Sequence, residues 1–432
     1  MPDTYEAASK SSSSPTVLSV IIASWRARLD LLAILTAILL PWSTSAVSIL
    51  MLIWFVVAIF TVDVQTFLRS LRHPACLFPL LFLALAVVGT TWANGPWIAG
   101  FDGIKPVIKL LAIPLLFYHF ERSRGANRVF IAFLVSCTLL QALSWIVFFA
   151  PEWKFAPTLN AGVPVKNYID QSQEFTLCMF ALAPYVITLL RQRRFIEAAV
   201  FATLMFTFFV NMMFIVSART ALIYIPVLLI LFAMRYLSRG RAILLFAAAV
   251  GVATAVWFSS PYLQSRIHDA AAGYDEYQQN IVSPTSRRLE YWRKSLGFFA
   301  DAPLIGHGTG STKLLFERDA AGESGLAAEV TRNPHNQTLN VAVQWGLLGV
   351  VILHAMWLCH LLLFRGIDLS AWIGLLVVTQ NIVSSLLNSH LFDFVEGWIY
   401  VLGVGIAGGM SFRSLHGASH TGSTSPASGR IG

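Results

Sequence analysis

Apolar runs close to the ~20 residues a helix needs to cross a bilayer recur along almost the whole chain, and no other feature constrains the fold as much. About twelve such runs lie near residues 29–43, 46–62, 75–92, 104–120, 128–150, 174–190, 195–216, 220–235, 242–259, 338–363, 370–388 and 396–411. A bilayer offers the backbone no hydrogen-bonding partner, so runs of this kind must satisfy it internally, as helices. The pattern predicts an all-α polytopic membrane protein of about 12 transmembrane helices. The first two runs are short and divided only by Pro41-Trp42-Ser43-Thr44, which reads as a helical hairpin. Composition agrees, with 12% charged residues against roughly a quarter in soluble domains. Cys76, Cys137, Cys178 and Cys359 all fall in apolar runs, so neither a disulfide framework nor a cysteine metal site is indicated.

Arginines set the orientation. Arg26 and Arg28, Arg69 and Arg72, Arg122, Arg124 and Arg128, Arg191, Arg193 and Arg194, Arg235, Arg239 and Arg241, Arg365, and Arg413 fall on one side, expected to be cytoplasmic. The formal charge of +8 thus sits mostly in short loops and marks no nucleic-acid surface. Residues 1–24 lack the basic-then-apolar order of a cleavable signal peptide and read as a disordered cytoplasmic tail, as do residues 413–432. Between them the expected order is transmembrane helices 1–9 over residues 25–259, one large loop on the opposite side over 260–337, and helices 10–12 over 338–412.

That loop is nearly balanced, with eight Lys/Arg against nine Asp/Glu. From Pro284 to Ala300 the residues Leu289, Trp292, Leu296 and Phe299 recur at helical steps, which predicts an amphipathic helix resting on the membrane or the bundle. Pro284 and Pro303 punctuate it.

Polar residues at the edge of such a chain are where chemistry would be done. Asn333-Pro334-His335 reads as a helix start, with Asn as N-cap and His in the first turn of the tenth span. Unpaired backbone N–H groups there disfavour a charged imidazole and attract an anion, so His335 is expected to be neutral beside a phosphate; an interfacial capping histidine is the plainer alternative. Gly346, three turns on, lets a neighbouring helix approach closely and fix the direction of the histidine. Arg288 and Trp292 share a helix face while Arg287 points elsewhere, and a guanidinium can grip phosphate through two parallel bonds. Arg219, in Ser217-Ala218-Arg219 between two apolar spans, occupies a costly position that marks function or snorkelling. Arg266 opens the long loop in the same manner. Lys105 and Lys109 could meet phosphate or lipid. Asp393, with His390 and Glu396, could orient a basic partner or form a solvated turn. Gln380, Asn381 and Asn388 read as interhelical hydrogen bonds. Gly306, Gly308 and Gly310 lack the lysine-serine ending of a phosphate loop and read as a turn. Glu317-x-Asp319 is the nearest approach to an Asp-x-Asp pair, so a divalent cation on a diphosphate is not supported, and no cofactor is expected.

The order Ser286-Arg287-Arg288-Leu289-Glu290-Tyr291-Trp292, Pro303-Leu304-Ile305-Gly306-His307-Gly308, then Asn333-Pro334-His335-Asn336-Gln337-Thr338-Leu339 and Gly346 resembles the central region of the O-antigen ligase and polymerase superfamily. The spacing from His335 to Gly346 is similar to the signature of lipopolysaccharide O-antigen ligases (WaaL type), and Ser217-Ala218-Arg219 resembles that family's interfacial arginine. The likeness spans about residues 200–400. It implies a fold like the glycosyltransferase C class with a large periplasmic loop, in the bacterial inner membrane. It also implies transfer of a polysaccharide from undecaprenyl diphosphate to a sugar hydroxyl of lipid A-core, inverting and metal-independent. On that reading His335 is the general base; Arg288 and Arg219, with Arg266, hold the diphosphate; and Arg287, Lys105, Asn336, Gly346 and Asp393 give support. An O-antigen polymerase, a protein O-glycosyltransferase using the same donor and a lipid or glycan transporter are the rivals. A transporter would set its polar groups near the midplane, whereas these gather at one face.

Overall fold

The computed structural model describes residues 17–158, 160–216 and 220–421, and among these no strand forms. α1 (Val17–Leu39) and α2 (Thr44–Ile59) make the expected hairpin, capped where Ser43 accepts from the Ala46 amide. α3 (Val64–Ser70) departs from α2 at 118°. α4 (Pro74–Val88) continues through a tighter turn to Trp92, and α5 (Trp97–Ile108) and α6 (Ala112–Arg122) are parted by another at Lys109–Leu111. Next come α7 (Ala126–Phe149), α8 (Tyr168–Arg191), α9 (Phe195–Phe214), α10 (Ala221–Tyr236) and α11 (Arg239–Ser259). The long insert folds as α12 (Pro261–Gln278), α13 (Pro284–Asp301) and α14 (Thr312–Asp319). α15 (Gln337–Leu363), α16 (Leu369–Ser384) and α17 (Phe394–Thr421) complete the chain. α1 begins inside, and α17 runs on into, stretches expected to be unstructured; residues 1–16 and 422–432 lie outside the described residues.

Seven helices among the described residues are long and apolar enough to cross a membrane: Pro74–Trp92, α7, α8, α9, α11, α15 and Phe394–Ser414. Twelve were expected, and each shortfall has a cause. α1 carries Arg26, Arg28 and Asp30 along its length. α2, α10 and α16 have 16 residues each, which at 1.5 Å per residue fall short of a ~30 Å hydrocarbon layer. The run at 104–120 breaks at Lys109.

The most enclosed span is α17, whose Val401, Val404 and Ala407 are fully buried. It lies so close to α6 that a Cβ on Gly409 would stand 2.8 Å from the Glu121 backbone nitrogen, the close approach that small residues permit between membrane helices. α11 is the opposite case. Only Val256 along it is buried, as suits a helix apolar on all sides and solvated by lipid.

A helix forms over the stretch the periodicity marked, but on a different face from the one expected to rest on the bundle: Leu289, Trp292 and Phe299 are only half-buried and Leu296 is exposed, while Tyr291 and Phe298 are buried. Ser283 caps α13 through the Ser286 amide, and the Ser286 hydroxyl accepts from the Ser283 amide in return. Tyr291 and Phe298 on one face pack on Phe316 of α14 and on Val343 of α15. The buried Lys294 ties the insert together, with Nζ donating to the Ala327 carbonyl at 2.5 Å and lying 2.7 Å from Asp319.

α15 is not one straight helix. At Gly346 the backbone takes φ 57°, ψ −154°, a region open essentially to glycine alone. The helix is thereby divided into Gln337–Trp345 and a longer second part. Residues 303–308 close the break: His307 and Gly308 amides donate to the Val343 and Gln344 carbonyls, while Leu347 and Leu348 amides donate to the Pro303 and Leu304 carbonyls. The turn with positive φ at Gly306, Gly308 and Gly310 therefore serves backbone satisfaction, which a buried helix end requires.

Candidate functional site

The short first part of α15 presents the sequence Asn333-Pro334-His335-Asn336 at its start, though not with the caps expected. Asn336 is the N-cap, its Oδ1 accepting from the Leu339 amide at 3.0 Å. His335 precedes the helix and has a left-handed backbone, φ 56°. Asn333 was read as the cap because Pro at the first position is so common a start. It instead forms a local turn, with Oδ1 accepting from the His335 amide at 2.9 Å and from Ser389 Oγ at 2.7 Å.

Two elements converge on the imidazole. From the segment between α16 and α17, Asn388 Oδ1 lies 2.8 Å from His335 Nδ1, and Asn388 Nδ2 donates to Asp393 Oδ2 at 2.8 Å. From α13, the Tyr291 ring stacks on the histidine with centroids 6.2 Å apart and planes 21° apart. Arg288, also on α13, is near enough for its charge to act on the ring. Burial first, then this guanidinium, holds His335 below the usual histidine range. The shift is toward the neutral ring, and its causes are burial and a neighbouring cation.

Two adjacent arginines precede Tyr291 on α13. Arg287 is half exposed and its Nε lies 3.0 Å from Glu329, which also accepts from the Tyr291 hydroxyl at 3.4 Å, while the Arg288 charge acts on the imidazole. Trp292 follows one turn after Arg288, with its indole nitrogen buried and unpartnered among the described residues. Arg219 lies outside the described residues. The backbone of Arg266 belongs to α12, but its side chain lies outside them. Lys105 is exposed and paired with Asp102 at 2.7 Å. Lys109 is buried, with Nζ donating to the Phe392 carbonyl at 3.2 Å and to that of Asp393.

Beneath Asp393, His390 Nδ1 lies 3.4 Å from both Asp393 Oδ2 and Glu396 Oε1. The ligand atoms of these three residues fall within 4.8 Å of one another, the one such group found among the described residues. A metal ion would meet the Lys109 ammonium and a histidine that already carries a proton, so the set fits an ion-pair cluster. Burial opposes charge on His390, yet hydrogen bonding and attraction from the two carboxylates prevail and lift it to about 9. Its folded pKa lies above the unfolded value near 6.5. The stabilisation is therefore complete below about pH 6.5 and lost as pH rises through about 9. The melting temperature of the purified protein is expected to fall between about pH 7 and pH 9.5, and the fall should be much reduced in His390→Gln.

Asn388 was expected to join helices inside the eleventh span. α16 ends at Ser384, and the polar run Asn388-Ser389-His390 belongs to the connection to α17. The run interrupting apolar sequence was the available signal. A second set went unread: Asp170, Gln171, Gln173 and Glu174 are buried in the first turns of α8, where polar residues at the head of an apolar run gave the hint.

A neutral imidazole beside a guanidinium, both at the mouth of a membrane bundle, can take a proton from a hydroxyl while positive charge awaits an anionic group. Residues 203–354 match the O-antigen ligase family. The matched segment contains α13, the His335 turn, the first part of the broken α15 and the start of its second part, and it supports the O-antigen ligase/polymerase superfamily, whose activity is glycosyltransferase-like and whose substrates are polysaccharides and lipid-linked glycans. A search of curated proteins finds no match to the chain.

Proposed function

We propose that this protein is an O-antigen ligase that transfers polysaccharide from undecaprenyl diphosphate to a sugar hydroxyl of lipid A-core at the periplasmic face of the bacterial inner membrane. The observation that carries the reading is the half-buried His335, held below the usual histidine range with the Arg288 charge acting on it, inside a segment matching that family. His335 takes the proton of the acceptor hydroxyl as its oxygen attacks the anomeric carbon from the side opposite the diphosphate. The bond from that carbon to the diphosphate oxygen breaks, undecaprenyl diphosphate leaves, and the configuration inverts. Arg288, with Arg219 and Arg266, holds the leaving diphosphate, whose charge grows as the bond lengthens. Asn336 caps the helix start and Gly346 seats it; Asp393 supports the histidine through Asn388. Arg287 and Lys105 act at the margin of the site.

Purified protein given undecaprenyl-diphosphate glycan and rough lipopolysaccharide should yield a capped core with no added metal. A lengthened lipid-linked glycan instead would make it a polymerase, and neither product would end the reading. In the same assay Arg288→Lys is expected to lower transfer about 100-fold, since one point charge cannot replace a planar fork. Full activity in that variant would reduce the requirement to charge alone.

A further inference from the structure

An amide, and not a carboxylate, stands against the imidazole. We propose that Asn388 is the positioning residue that fixes the tautomer of His335, its carbonyl taking the Nδ1 proton in a hydrogen bond so that Nε2 is the atom that receives the acceptor's proton. The inference rests on the reading of His335 as the general base.

Which way the Asn388 amide points follows from a backbone group. The His335 N–H can only donate, and it donates to Asn333 Oδ1 at 2.9 Å, so the Asn333 amide nitrogen faces the other way and donates to Asn388 Oδ1 at 3.0 Å. At the opposite end Asn388 Nδ2 donates to Asp393 Oδ2 at 2.8 Å, and a carboxylate there can only accept. Turning Asn388 over would set nitrogen against nitrogen and oxygen against oxygen. Its Oδ1 is therefore the atom 2.8 Å from His335 Nδ1, and an oxygen without hydrogen requires a proton on that nitrogen. The neutral ring has one N–H, so Nε2 carries the lone pair.

The choice of amide matters. A carboxylate on Nδ1 would steady the same tautomer but would also favour the imidazolium, and a base that is already protonated cannot act. Here the negative charge of Asp393 is held one residue away. The groups facing the ring are Arg288 and Tyr291 from α13, and Asn388, Asp393 and His390 from the connection before α17. Burial and Arg288 oppose a ring charge more than Asn388 and Asp393 favour it.

The test uses full-length protein in lipid nanodiscs, with purified undecaprenyl-diphosphate glycan and rough lipopolysaccharide. Asn388→Ala is expected to lower kcat about 10- to 100-fold, by analogy with the larger loss when a catalytic histidine is held in the wrong tautomer, with donor KM changed less than about two-fold. Asn388→Asp is expected to move the acid limb of the kcat profile up by about one pH unit or more and to regain rate under alkaline conditions. With ¹⁵N-labelled histidine, the resonances absent from His335→Ala should show protonated Nδ1 and bare Nε2 in the wild type. An Nε2–H pattern there overturns the proposal and needs no variant to fold. So does an Asn388→Ala enzyme with kcat within about two-fold of wild type and an unmoved pH profile. If His335→Ala itself retains transfer, the underlying base assignment has failed; if that variant is dead and Asn388→Ala is normal, only the tautomer claim has.

Discussion

Replacing His335 with alanine or glutamine is expected to lower transfer about 10³-fold, the contribution of a well-placed general base, and to leave donor binding near normal. Glutamine is the sharper change, because its amide can still meet Asn388 and fill the space beside Tyr291 but cannot hold a proton near neutral pH. Burial and the Arg288 charge place the histidine below its ordinary range, so the wild-type rate should be level from about pH 7 to 8 and decline on acidification with a midpoint below about 6.5. The residual rate of the glutamine variant should lack that decline. Initial rates across a pH series, paired with binding of the lipid-linked donor, provide the check. A glutamine variant of wild-type rate would remove the imidazole from the chemistry.

Gly346→Ala is the second large effect, and it acts without touching substrate. A Cβ there would stand 2.5 Å from the Leu304 carbonyl carbon and 2.6 Å from the Ile305 nitrogen, both backbone atoms that cannot rotate aside. The conformation alone costs roughly 1–3 kcal/mol for a residue other than glycine, and the collision adds to it. Transfer is expected to fall to about one-hundredth or less, with less folded protein recovered from membranes. Hydrogen exchange gives a local readout: the amides of His307, Gly308, Leu347 and Leu348, which pair across the break, should lose protection first. Unchanged exchange at those four amides, with normal activity, would show that the break is dispensable.

Elements with a local cause were legible in the sequence. α13 begins at Pro284 and ends at Asp301, one residue beyond the predicted end, because its cap and its proline lie within it; which face packs was misjudged, since Tyr291 and Phe298 are buried rather than Leu289 and Leu296. What escaped has distant causes. Asn388 meets His335 across 53 positions of chain, and no periodicity reports such a meeting. Gly346 was read as a place where a neighbouring helix comes close; what comes close is the turn at 303–308, and the broken helix depends on that segment, which the sequence of α15 does not contain. Among the described residues fewer helices reach a clear spanning length than there are apolar runs, because apolar content marks what can enter a membrane. It does not tell a 16-residue helix from one that reaches the other side.

The four backbone bonds that join residues 303–308 to α15 have a practical corollary for anyone dissecting the molecule. The long insert is no excisable module. Cut free at about residues 260 and 337, it would lose the surface it is zipped to. The bundle left behind would hold an interrupted helix with carbonyls and amides that nothing answers in hydrocarbon.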